Sequence, residues 1–210
     1  KRQPKALPDF LSSLNEIGFG AHVHAIGDAG VRETLDAIEQ AREHGSKQIY
    51  SMTHLEMIDP DDVERFQRLD VHADFQAGAA YFADTGWASF YVGNKRAKRM
   101  IPMREVFDTG ANVTFSSDWT VNAINPLVAI ANSVRLKRSK GLPDIHSAIK
   151  AATINGALAL GLESVTGSIE VGKSADVVLL DRNIINANAS EIESTKVIMT
   201  ILQGNRVFDQ

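Results

Sequence analysis

The stretch FGAHVHAIGDAG, residues 19 to 30, sets His22 and His24 two apart and breaks at Gly27 before an aspartate. Further along, His54, Gln76 and Asp118 each stand near the end of a run that reads as a strand. From His24 the successive intervals are 30, 22 and 42 residues. Such spacing suits ligands on separate strand–helix units and not a compact helical motif such as HExxH. Two imidazoles and a carboxylate at successive strand ends have the composition of a metal hydrolase site. Bland roles remain open beside that one. A histidine at a strand end also serves as a hydrogen-bonded core residue, and Asp118 could cap a helix following Trp119. GDAG could be half of a dinucleotide loop, but the full G-x-G-x-x-G is absent. His22 shares a strand face with His24. His44 (in EHGS) reads as a helix end, His146 as a helix flank, and His72, between Val71 and Ala73, as structural.

The elements that must position these residues alternate. Phe10, Leu14 and Ile17 have helical spacing, stopped by Gly18. GAHVHAI is a predicted strand; Gly27 turns the chain and Asp28 can cap the next helix, whose stripe is Val31, Leu35, Ile38 and Ala41, closed by Gly45. QIYSMTHL is a second strand. DPDDVERFQRL starts a helix with Asp59 as cap and Pro60 in first position. VHADFQ is a third strand, followed by an irregular stretch from Ala77 to Arg99, the helix MREVFDTG and a fourth strand, NVTFSSD. NPLVAIANSVRLKR and DIHSAIKAATINGALAL are predicted helices. Four strand–helix alternations are the pattern of parallel βα units. After Gly161 the chain changes to short strands around turns with no amphipathic helix between them, so residues 1–161 and 162–210 are expected to form two parts, the second a small β element.

Bulk properties narrow the chemistry. The 210 residues are 44% hydrophobic and 23% charged, a globular profile with a real core. A net charge of −4 gives no basic footprint for nucleic acid, and no apolar run reaches the ~20 residues of a membrane helix. Without cysteine there is no disulfide and no thiolate ligand, so any metal falls to His, Asp, Glu or Lys. The chain opens at Lys1 with no leader in view, and a cytoplasmic location is the expectation.

HVHAIGDAGVRETLDAIE, THLEMIDPDDVERFQRLDVHADFQ, SSDWTVNAINPLVAIANSVR and AATINGALALGLESVTGSIEVGKSADVVLLD together resemble the metal-dependent amidohydrolase superfamily. The branch they resemble contains N-substituted formamide deformylase and proteins named exoenzyme regulators. HAIGD and SDW are fairly specific, whereas GSIEVGKSADVVLLD is shared more widely. The resemblance implies an α/β fold, the C-terminal half of a (β/α)8 TIM-type barrel (strands five to eight) plus a small β-sandwich element. It implies His24 and His54 as the strand-five and strand-six metal ligands, Asp118 as the catalytic acid/base ending strand eight, and a divalent metal, zinc, as cofactor. Gln76, Trp119 and His22 are the neighbouring candidates for substrate contact. Thr120 and Ala77 stand where the family usually has proline, softening loops that shape the substrate site. The first-strand His-x-His pair and the strand-four ligand have no candidate before Asp9.

The activity implied is metal-dependent hydrolysis of a C–N bond in a small amide-type substrate, performed within a longer parent enzyme. Asp118 takes the water proton and returns it to the leaving nitrogen, a service worth ~10²–10⁴-fold. A non-catalytic regulatory or binding protein on the same scaffold is the competing reading, and a nucleotide-binding domain the third. By itself the chain is expected to be inactive, to bind metal poorly, and to form homo-oligomers through two open strand edges and through barrel-facing side chains such as Val113 and Phe115.

Overall fold

The computed structural model describes residues 6–78, 86–136 and 140–210. Helix α1 (Ala6–Glu16) leads into strand β1 (Ala21–Ala25), then α2 (Asp28–Glu43), β2 (Tyr50–His54), a 3-10 turn at Pro60–Asp62, α3 (Val63–Arg68) and β3 (Val71–Phe75). Next come α4 (Ser89–Ala97), α5 (Met103–Asp108), β4 (Val113–Phe115), α6 (Pro126–Arg135), α7 (Ile145–Ala151) and α8 (Ile154–Ala159). The tail holds β5 (Val177–Leu180), α9 (Ala189–Glu193), β6 (Val197–Leu202) and β7 (Asn205–Asp209). The fold is α/β. One sheet has the order β1-β2-β3-β4 with β1, β2 and β3 parallel, and the other is an antiparallel β5-β6-β7 meander. Two compact units result, residues 1–75 with 84–113 and residues 76–83 with 114–210; the division falls inside β4.

Period two makes the sheet of the first unit two-faced. On one face Tyr50, Met52, Val71, Ala73 and Phe75 are buried. This is the helix side: Arg42 of α2 lies over the Tyr50 ring, 4.8 Å from its centre. Val31, Leu35 and Ile38 of α2 and Phe66 of α3 are buried, as the amphipathic spacing requires. Arg65 ties the helices together, donating to Asp62 at 2.9 Å, Asp36 at 2.7 Å and Glu39 at 2.6 Å.

Several local expectations change. Asp28 is the first residue of α2 and not its cap; Gly27 holds the cap position with φ 82°, a left-handed turn that glycine enters without strain. Within the stretch expected to be irregular, residues 79–85 lie outside the described residues and α4 follows. Gly93, at φ 78° and ψ 156°, interrupts α4, so no continuous apolar stripe advertises it. The helix expected over residues 144–160 breaks at Ala152 and Thr153 into α7 and α8. The tail does contain a short helix. Its capping box is legible in NASE: the Asn188 side chain accepts from the Ser190 and Glu191 N–H groups while Glu191 accepts from the Asn188 N–H. Val113 does not face with the polar residues of the sheet. Asn112 before it hydrogen-bonds His72 on that face, so Val113 points to the helix side.

The register of β1 on β2 depends on a close approach. Ala21 N–H donates to the Ile49 carbonyl at 3.1 Å, and a Cβ on Gly20 would overlap that carbonyl oxygen. Gly20→Ala must therefore part the first rung of the sheet, with an expected cost of about 1–3 kcal/mol in urea unfolding. A loss below about 0.5 kcal/mol, the range of inert surface changes, would show that the rung yields freely.

Candidate functional site

The face of the first sheet turned away from the helices is polar. His22, Ser51 and His72 share one register position; His24, Thr53 and Asp74 share the next, closer to the strand ends. His22 Nδ1 lies 2.6 Å from Ser51 Oγ, and the Asn112 amide Nδ2 lies 2.9 Å from His72 Nδ1. Thr53 Oγ donates to Asp74 Oδ2 at 2.7 Å. Ser51, Thr53, His72 and Asp74 are all buried. Buried polar side chains are the exception in a sheet and need partners, so this row of hydroxyls, imidazoles and a carboxylate sets the face apart from the apolar one opposite.

His54 reaches that face by a backbone turn. Simple alternation groups it with Tyr50 and Met52 on the helix side, in register with Ala25. Its φ is +76°, in the left-handed region, and Leu55 follows at +56°. Rotation about N–Cα from an extended value to a positive one carries Cβ across the strand. The His54 ring accordingly meets the His24 ring edge to face, with centres 4.1 Å apart. A non-glycine residue in this region costs about 1–3 kcal/mol, a strain that gathers at functional sites. His54 Nδ1 also sits 3.3 Å from Glu56 Oε1, with both side chains largely shielded from water.

The second unit carries the other candidates. Gln76 follows β3 and is buried. Asp118 lies beyond β4 with φ +55°, the second candidate in the left-handed region. It caps no helix: its carbonyl accepts from the Val121 N–H at 2.7 Å and the Asn122 N–H at 3.3 Å, closing a turn. Capping falls to Asn125, whose side chain accepts from the Leu127 N–H at 3.0 Å at the start of α6. Trp119 is exposed. A cavity of about 240 Å³ lies just before Asp118, lined among others by Gly78, Ser116, Ser117 and Asn125. His44 bonds its own helix end through the Gln40 carbonyl at 2.7 Å, and His146 is exposed near the start of α7.

Two adjacent imidazoles suit two positions of a divalent cation of intermediate softness, and a carboxylate, Glu56, stands 3.3 Å from the Nδ1 of one of them. No group of three or more His, Asp or Glu side chains among the described residues is arranged to hold a metal, so the pair fits part of a ligand shell. Glu56 and Asp74 escaped the reading of the sequence. The H-x-E spacing of THLE could have signalled the first; nothing distinguishes Asp74 from a strand aspartate until its register is known.

The sequence pattern of the amidohydrolase family matches residues 2–208. N-substituted formamide deformylase of Arthrobacter pascens is similar at 24% identity over 208 residues, 93% of this chain and 38% of that protein. An uncharacterized metal-dependent hydrolase from Pyrococcus horikoshii superposes with a TM-score of 0.77 at 22% identity, covering 90% of this chain and 39% of that one. An adenosine deaminase from Xanthomonas campestris with bound zinc gives 0.69 at 17% identity, over 99% of this chain and 49% of that one. The chain thus spans less than half the length of each of these relatives. Among the described residues no helix is long and apolar enough to cross a membrane.

Proposed function

The chain belongs to the amidohydrolase family, and on that premise we propose that it forms the C-terminal half of a (β/α)8 barrel in a zinc-dependent hydrolase of amide-type C–N bonds. The observation that carries this is the His24–His54 ring pair, brought together at adjacent parallel strand ends by the left-handed backbone of His54. A relative named for deformylation of N-substituted formamides supports the bond type, and a relative with bound zinc supports the metal.

In this reading the imidazoles of His24 and His54 would hold the cation, and Glu56, with Oε1 3.3 Å from His54 Nδ1, stands behind the second of them. When bound, the cation would supply Lewis acidity toward the carbonyl oxygen and make water more acidic. Asp118 accepts the proton of the attacking water as oxygen bonds to the carbonyl carbon, then delivers it to the nitrogen as the C–N bond breaks. One water is consumed, and a carboxylic acid and an amine leave. Gln76, Trp119 and His22 are the residues proposed to touch substrate, and the remaining ligands come from outside the described residues.

The test is amine release from a panel of N-substituted formamides and simple amides by the intact protein. Turnover should vanish on chelation and return with zinc. A zinc-loaded protein that releases amine from none of them overturns the reading.

A further inference from the structure

The polar row that ends at His24 contains a carboxylate to which the proposed reaction gives no part. His24, Thr53 and Asp74 occupy one register position across three parallel strands, so their side chains stand side by side on one face. Thr53 has a double connection to the site: it neighbours His24 across the sheet and immediately precedes His54 along the chain. Its hydroxyl donates to Asp74 Oδ2 at 2.7 Å, and both residues are buried, Thr53 at 8% exposure and Asp74 at 5%. A carboxylate buried in a sheet interior is held there by hydrogen bonds and by nearby positive charge.

We propose that Asp74 is a positioning residue for the metal centre: through the Thr53 hydroxyl it fixes the strand ends that present His24 and His54, and its charge favours a divalent cation between them. The inference rests on the reading of those two histidines as ligands. A threonine locked by a charge-assisted hydrogen bond holds one χ1 rotamer. The backbone one residue later, where the chain turns left-handed at His54, is thereby anchored against the neighbouring strand. Groups hydrogen-bonded to metal ligands typically contribute ~10–100-fold in metal affinity, and Asp74 acts one link further back, through the Thr53 hydroxyl.

Zinc affinity of the intact protein, measured by competition with a chromophoric chelator, tests this without any assay of turnover. Asp74→Asn and Thr53→Val should each weaken zinc binding ~10–100-fold, while Thr53→Ser, which keeps the hydroxyl, should stay near wild type. His24→Ala is the reference for loss of a ligand. If Asp74→Asn and Thr53→Val bind zinc like the wild type while His24→Ala does not, Asp74 has no positioning role and the metal reading survives. If His24→Ala also binds like the wild type, the metal reading itself fails. Should Asp74→Asn not fold, the Thr53→Val and Thr53→Ser pair decides: equal affinities in the two overturn the proposal, and rescue by serine supports it.

Discussion

Asp118→Asn should lower kcat by ~10²–10⁴-fold, the usual worth of a positioned proton-transfer group, while the protein keeps its zinc. Asparagine is the informative replacement because of the backbone. Asp118 sits at φ +55°, where asparagine and aspartate are tolerated far better than alanine. The turn that its carbonyl closes on Val121 and Asn122 is made by the main chain and survives the change. What disappears is a carboxylate that can take a proton and give it back; an amide of the same shape does neither at neutral pH. The loss should therefore appear in kcat, with thermal unfolding and metal content close to wild type. A variant that cleaves the same amide at the wild-type rate removes Asp118 from the chemistry.

The histidine pair shows where pattern reading of a sequence ends. The strands, their alternation with helices and the placement of His24 follow from period two, from glycine breaks and from helix caps, all of them local signals. Asp59 with Pro60 is one: the Asp59 side chain accepts from the Asp61 N–H at 3.1 Å, as its sequence context implies. His54 is different. Alternation from Tyr50 puts it on the helix face, and only the positive φ at its own Cα brings it to His24. That conformation is imposed by tertiary packing: Leu55, next in the chain, is fully buried and its N–H reaches back to the Ala25 carbonyl. The same limit hid Asp74, whose meaning depends on the register of three strands distant in sequence. In the opposite sense, the capping box at Asn188 was written locally and was masked by a surrounding tail that reads as strand and turn.

In the intact parent protein, His24→Ala and His54→Ala should each leave the purified enzyme nearly free of zinc, whereas His44→Ala and His146→Ala should retain the wild-type content. Apparent zinc affinities of about 10–16 kcal/mol are shared among about four ligands, so one imidazole is worth roughly 3 kcal/mol, about 10²-fold in Kd. Losing that much turns a site that survives purification into one that empties on dialysis. The two control histidines are occupied elsewhere: His44 bonds the Gln40 carbonyl at the end of α2, and His146 is exposed on α7. His54 needs a second variant because its own conformation is strained. Alanine there removes the imidazole and leaves a residue poorly suited to φ +76°. Asparagine accepts that backbone, so His54→Asn separates ligand loss from local refolding. If His54→Asn empties as His54→Ala does, the imidazole is the ligand. Should it keep its zinc while His54→Ala loses it, His54 acts only as a turn. Elemental analysis giving equal zinc in His24→Ala, His44→Ala and wild type would take His24 out of the metal centre, and with it the geometry on which the proposed hydrolysis rests.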